Sequence, residues 1–267
     1  MKHIFSAALS GILVVTLLSG CGGNGPDHQS EEVCIKQTSS DGSYITYDYN
    51  TDGSQTKATN YSATGTLLGW TEYTYNENGL KTEEITYDPE GAVQTHSTME
   101  YDNGNMISRT CYDAEDIQQY QETFTYDEDG FLTKETYTDD TTSYWYDVEN
   151  DKNGNETKRT MMDDSDNPEM VIVSDYNSDN LLIKTTTYED AAMEMLQGWS
   201  ENDYDADGNL IRQTAYNAAA QINAIWEYSY NTNGSLIGTT ISGTGSAEVL
   251  NTYDYMPLSE LLNANET

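Results

Sequence analysis

The chain has 267 residues and is 36% hydrophobic, with 22 Tyr and 4 Trp beside only 4 Pro. That is too much ring surface for a disordered segment and too little aliphatic material for a tightly packed globule. Its 46 acidic against 11 basic residues give a formal net charge of −35. This charge argues against nucleic acid as a partner, excludes charge-driven adsorption to anionic lipid, and leaves cations, basic proteins and neutral ligands.

The N-terminus reads "MKHIFSAALSGILVVTLLSGC", Met1 to Cys21. A short basic start at Lys2 and His3 precedes an apolar run that is too short for a comfortable membrane span and ends in small residues, as an export signal does. The tetrad Leu18-Ser19-Gly20-Cys21 resembles the lipobox of bacterial lipoproteins. That resemblance implies cleavage before Cys21, a diacylglyceryl group on its thiol, and an exported protein anchored to a bacterial membrane on its extracytoplasmic side. Two acyl chains, at roughly 0.8 kcal/mol per buried methylene, would hold the protein to a bilayer that its charge avoids.

The expected organisation is a signal over 1–20, a lipidated cysteine and flexible tether over 21–32, a repeat domain over 33–255 and a tail over 256–267. Removing residues 1–20 takes away Lys2 and no acid, so the mature charge is 10 − 46 = −36. Cys34 and Cys111 match no metal-ligand spacing, and in an exported chain they stand either as a disulfide or as two separate thiols.

From Tyr47 onward the chain repeats. Tyr followed by Asp or Asn recurs at Tyr49, Tyr75, Tyr101, Tyr126, Tyr146, Tyr176, Tyr204, Tyr230 and Tyr253, at intervals of 26, 26, 25, 20, 30, 28, 26 and 23 residues. A turn such as "NENG" (Asn76 to Gly79) or "DEDG" (Asp127 to Gly130) follows the anchor. A second Tyr, such as Tyr61, Tyr87 or Tyr112, comes 11 or 12 residues after its anchor. Asn, Asp and Gly supply the positive φ angles of tight hairpins, so each half-unit predicts one strand and one turn. The stretch Asn150 to Met170 reads as an insertion between units.

Within "INAIWEYSY", Ile222, Ala224, Trp226, Tyr228 and Tyr230 fall on one strand face. The Tyr-x-Tyr step recurs in other units, so one face is expected to carry an aromatic ladder. Trp70, Trp199 and Trp226 each precede an anchor by four or five residues. With Tyr73, Tyr75, Tyr228 and Tyr230 they form the candidate ligand-binding set, because flat rings suit sugar faces; the alternative for each ring is cross-strand packing.

Asp203, Asp205, Asp207 and Gly208 have the spacing that opens an EF-hand loop. The twelfth loop position, however, is Thr214 where a bidentate Glu belongs, and the flanks read as strands, so the stretch is expected to be one more hairpin turn without a metal.

"YNENG", "YDEDGFLTKETY" and "YDADGNLIRQTAYN" resemble the YD repeats of the RHS family over about Tyr47 to Tyr255. That resemblance implies a continuous antiparallel sheet that spirals, sometimes into a shell around a toxin domain. The resulting expectation is an all-β meander of about 16 strands, a twisted, spiralling single-layer sheet, with a small β-propeller as the alternative.

His3 lies in the signal, His28 in the tether and His96 in a predicted strand, which supports neither a catalytic triad nor a zinc hydrolase. No catalytic residue or cofactor is expected, although a carboxylate-pair glycosidase stays open. The expected function is a non-catalytic surface scaffold that binds a glycan, a cell-wall polymer or a protein. The alternatives are an accessory or immunity factor of an RHS-type toxin and a purely structural surface protein. Oligomeric state is not legible.

Overall fold

The computed structural model describes residues 32–243 and 249–265. The expected signal, Cys21 and residues 22–31 therefore lie outside the described residues. Rings and β-branched residues at alternate positions, punctuated by Asx-Gly turns, favour strands over helices. The chain accordingly runs as nine successive hairpins. They are β1 (Glu32–Ser39) and β2 (Tyr44–Tyr49), β3 (Gln55–Tyr61) and β4 (Leu67–Tyr75), β5 (Lys81–Tyr87) and β6 (Val93–Asp102). Next come β7 (Asn105–Asp113) and β8 (Gln118–Tyr126), β9 (Leu132–Asp139) and β10 (Ser143–Asn150), β11 (Glu156–Met162) and β12 (Pro168–Tyr176). The last are β13 (Leu182–Tyr188) and β14 (Leu196–Tyr204), β15 (Leu210–Asn217) and β16 (Ile222–Tyr230), β17 (Leu236–Gly243) and β18 (Val249–Pro257), followed by helix α1 (Leu258–Asn265).

Every strand pairs antiparallel with its chain neighbours, and β18 pairs back onto β1, with Gln37 opposite Tyr253 and Ser39 opposite Asn251. The result is a closed barrel of 18 strands. It corrects the expected open spiral of about 16 strands and the propeller alternative. Each of the nine hairpins has one anchor position near the end of its second strand, so the strand count follows the anchor positions and not the eight intervals between them. The main strand contacts are all between ring neighbours, with α1 resting against β18, so the wall is one layer thick.

The Tyr-Asp pair has two separate jobs. The tyrosine ties the two strands of its own hairpin together. Near the end of each even strand, the odd strand opposite carries a bulge, as where Tyr75 faces Lys81 and Thr74 faces Glu83. The residue beside such a bulge keeps a carbonyl that the ladder does not fully use. The anchor hydroxyl on the second strand of the same hairpin donates to it: Tyr75 to Gln55 O at 2.7 Å, Tyr101 to Lys81 O at 2.7 Å, Tyr126 to Met106 O at 2.8 Å and Tyr230 to Leu210 O at 2.8 Å. Tyr176 and Tyr204 do the same to Glu156 O and Leu182 O.

In the fifth hairpin the donor is Asn150, whose Nδ2 lies 2.7 Å from Leu132 O. The anchor there is thus Asn150 and not Tyr146. The intervals around it become 150 − 126 = 24 and 176 − 150 = 26 residues, and the apparent insertion resolves into a turn, β11 and another turn. Tyr101→Phe is expected to lower unfolding free energy by about 1 kcal/mol in urea titration, because it leaves the Lys81 carbonyl without its donor.

The Asp or Asn after the anchor builds the turn. Asp127 Oδ1 accepts the N–H groups of Asp129 at 3.0 Å and Phe131 at 2.8 Å, and Asn76 Oδ1 accepts those of Asn78 and Leu80. Asp88, in the "DPEG" turn, likewise accepts from Glu90 and Ala92. Gly130 at φ 84° closes the turn in the left-handed region, where a side chain is strained.

Cys34 and Cys111 form no disulfide with each other. They lie on β1 and β7, six strand intervals apart, roughly 29 Å along the sheet at ~4.8 Å per interval. A disulfide needs Cα atoms within about 7 Å.

Candidate functional site

The barrel has two unlike faces. Toward the anchor rim, the residue between two rings is exposed in unit after unit (Asp48, Thr74, Thr125, Ser229 and Asp254), whereas the flanking rings are half-buried. Side chains on the inner wall of a closed sheet converge and lose solvent, so the anchor-bearing face is the inner one. Tyr47, Tyr73, Tyr146, Trp226 and Tyr228 share this wall by strand parity.

The inner wall perturbs its phenols. Burial, helped by the charges of Glu84 and Tyr75, pushes the Tyr73 hydroxyl up to about 12. Tyr144 and Tyr230 also rise to about 12, with burial again the largest cause. A phenol whose folded pKa is raised stabilises the fold fully below about pH 10, and that contribution is lost as the pH rises through about 12. Absorbance at 295 nm is therefore expected to show a tyrosine class titrating only with alkaline unfolding. A single class with a midpoint near pH 10 in the folded protein would contradict the enclosed ladder.

Of the seven candidate binding residues, Tyr73, Tyr75, Trp226, Tyr228 and Tyr230 are on the inner wall, and Trp70 and Trp199 are on the outer one. Trp70 stacks on Tyr87 at 5.1 Å from one side, Lys57 Nζ lies 4.6 Å from its ring on the neighbouring strand, and its Nε1–H donates to Glu72 at 2.9 Å. Trp199 repeats this with Tyr216 at 4.8 Å, Lys184 at 5.5 Å and Glu201 at 3.0 Å. Each indole has a neighbour over both faces. The glycine before each tryptophan is fixed by a close approach: a Cβ on Gly69 would stand 2.4 Å from Tyr87 O, and one on Gly198 2.3 Å from Tyr216 O. Trp145, the remaining outer tryptophan, donates to Asp166 at 3.0 Å and lies under Lys134 Nζ at 3.8 Å.

From β2 to β18, charge on the inner wall is confined to one sector. Lys81 pairs with Glu84 at 3.2 Å on β5, and Arg109 of β7 with Glu122 of β8 at 3.5 Å. Arg159 of β11 pairs with Glu156 at 2.8 Å and with Glu135 of β9. Burial, against the pull of Arg109, raises the Glu122 carboxyl above its ordinary value. From β12 to β18 the described inner-facing strand positions are Ser, Thr, Asn, Gln, aliphatic and aromatic residues, without an Asp, Glu, Lys, Arg or His. The sequence analysis missed this division, which appears once the register assigns each charged residue to a face.

At the anchor rim of the same sector lies an open groove of about 580 Å³, lined by Tyr228, Tyr230, Asp205, Asp207, Asn209 and Asn231 among others. The EF-hand-like stretch belongs here. Asp205 Oδ1 accepts the N–H groups of Asp207 and Asn209, both at 2.9 Å, and its Oδ2 accepts from Asn209 Nδ2 at 2.9 Å. These bonds, the Asn209 side chain first, hold the Asp205 carboxyl below its usual value. Asp203 points to the outer wall opposite Arg212. The arrangement is that of a hairpin turn.

The outer wall carries Lys57–Glu72 at 3.3 Å, Lys158–Glu149 at 2.9 Å and Arg212–Glu227 at 4.0 Å, with Asp147, Asp175 and Asp203 exposed between them. Charges at mid-strand on a lipid-facing wall cost about 2–4 kcal/mol for each Lys or Arg at the bilayer midplane. This barrel is therefore unsuited to lie within a bilayer.

No protein-family model matches the chain, and no curated protein matches it. Among solved structures, a porin-like protein from Bacteroides uniformis aligns with 84% of this chain and 96% of its own at 11% identity, with a TM-score of 0.46. A porin-like protein from Bacteroides vulgatus aligns with 84% of this chain and 99% of its own at 13% identity, TM-score 0.35. The TcdB2-TccC3 complex aligns with 79% of this chain and 14% of its own at 16% identity, TM-score 0.37.

Proposed function

We propose that the chain is a non-catalytic, lipid-anchored extracytoplasmic scaffold that binds its ligand, a glycan, cell-wall polymer or protein, on the inner wall of the barrel. The observation that carries this reading is an inner wall lined by rings and free of charge from β12 to β18. Tyrosines and Trp226 line the inner wall, while carboxylates dominate the turns and the outer wall. An interior built only for stability would be filled, yet no second layer covers these rings among the described residues, and polar-tipped aromatics are the side chains that stay soluble while awaiting a contact.

The anchor reading rests on the Leu18-Ser19-Gly20-Cys21 tetrad. Its geometry is workable: β1 begins at the anchor rim, so a tether from Cys21 would meet that rim and turn the opposite one away from the membrane. The YD-repeat resemblance of the RHS family fits the two jobs found for the Tyr-Asp pair, and membership in that family is part of the proposal.

Metabolic labelling with a fatty-acid analogue is expected to mark the wild type and not Cys21→Ser. The labelled protein should also retain at least one ligand from a panel of wall polymers, glycans and secreted proteins. Equal labelling of both chains would remove the anchor, and an empty panel would remove the binding function.

A further inference from the structure

This inference rests on the inner-wall reading above and narrows it to one sector and one ligand class. We infer that the uncharged sector, β12 to β18, holds a neutral polysaccharide, with Trp226 as its platform and the Gln213–Asn202 amide pair as its hydrogen-bonding edge.

Three observations converge there. The first is electrostatic. An acidic polymer is opposed by the chain's charge of −35. A basic protein would seek carboxylates, but from β2 to β18 those of the inner wall lie in the β5–β11 sector, where Lys81, Arg109 and Arg159 pair with them. A neutral polyhydroxyl chain is the ligand for which a wall without charge costs nothing in desolvation.

The second is the state of the tryptophans. Trp70, Trp145 and Trp199 each lie beside a lysine and donate their N–H to a carboxylate. Trp226 alone of the four makes no such contact among the described residues, and it alone stands on the inner wall. It is half-buried there, across from Gln213 on one side and Ile241 on the other.

The third is the amide pair. Gln213 sits directly across from Trp226 on β15. Its Nε2 donates to Asn202 Oδ1 at 2.9 Å, and Asn202 Nδ2 donates to Leu182 O at 2.9 Å. The two amides are thus held in place, and Gln213 Oε1 stays available beside the indole. An aromatic face for the C–H side of a sugar ring, with fixed acceptors and donors at its edge for the hydroxyls, is the chemistry of saccharide recognition. The platform continues along the same strand through Tyr228 and Tyr230 to the rim groove, which suits a chain of sugars better than a single one.

The test is affinity electrophoresis of the mature barrel in gels containing dextran, laminarin or mannan, with polygalacturonate and lysozyme as acidic and basic comparisons. At least one neutral polymer is expected to retard the wild type, with little dependence on salt. Trp226→Ala and Gln213→Ala should each weaken that retention about tenfold or more, and Trp70→Ala should leave it unchanged. The Gln213 variant keeps the test decisive if Trp226→Ala fails to fold. Trp226-dependent binding of polygalacturonate or lysozyme alone would overturn this inference and leave the inner-wall function standing. Absence of binding to every probe would sink both, and equal loss in Trp70→Ala would overturn the assignment of the sector.

Discussion

A chain ending at Gly243, without β18 and α1, is expected to lose cooperative folding altogether. β18 is the closing stave: it pairs with β17 on one side and β1 on the other. Its removal strips about ten ladder hydrogen bonds, worth roughly 1 kcal/mol each, from a fold whose total stability is on the order of 5–15 kcal/mol. It also creates two bare strand edges and opens the aromatic wall to water. In an open stack of hairpins the same deletion would trim stability by one unit and leave the rest standing. Circular-dichroism melting and size-exclusion chromatography separate the two cases. A soluble truncated monomer that melts cooperatively only a few degrees below the parent would show that closure contributes little.

Arg159→Met is expected to be the most damaging single substitution on the inner wall, with a loss of about 3 kcal/mol in urea titration. The Arg159 guanidinium is only 18% exposed and answers two carboxylates from different strands, Glu135 and Glu156, themselves 24% and 30% exposed. Methionine keeps much of the volume and removes the charge, which leaves two half-buried carboxylates facing each other. Adding Glu135→Gln and Glu156→Gln should restore most of the loss, since the penalty comes from the stranded charges and not from the missing contact. Failure of the triple variant to recover would indicate that stacking of the guanidinium on Tyr146, its Cζ 5.0 Å from the ring centroid, dominates instead.

Much of the wall was legible in the sequence because its signals are local. Tyr-x-Tyr steps and Asx-Gly turns gave strand, turn and face for most units, since period-two alternation and positive-φ residues act within a few positions. Closure was not legible. The pairing of Gln37 with Tyr253 joins residues more than two hundred positions apart, and no local pattern announces it. Asn150 escaped because the repeat was traced by the phenol, whereas the role needs only a donor of the right reach, which an amide also supplies.

The grouping of Trp70, Trp199 and Trp226 erred for a reason that parity exposes. Trp70 and Trp199 stand five residues before Tyr75 and Tyr204, and Trp226 stands four before Tyr230. An odd offset along a strand places a ring on the opposite face from the anchor, an even one on the same face. The distinction between outer and inner tryptophan was thus available, and it decides which of them can meet a ligand inside the barrel.

The anchor hydroxyls all reach back within their own hairpin, from its second strand to a carbonyl at the start of its first. A joint of this kind is internal to one hairpin and carries no information about how many units the ring contains. Calibre then becomes a matter of copy number. One more hairpin of about 26 residues would add two staves at ~4.8 Å each and widen the girth by roughly 10 Å without altering any existing joint. Only the seam between β18 and β1 has to close, and it carries between Cys34 and Lys36 the same bulge that every other junction of an even strand with the next odd strand carries. Bore is thereby separable from wall chemistry: the number of repeats sets what size of guest fits, and the few inward side chains of each repeat set which guest is held.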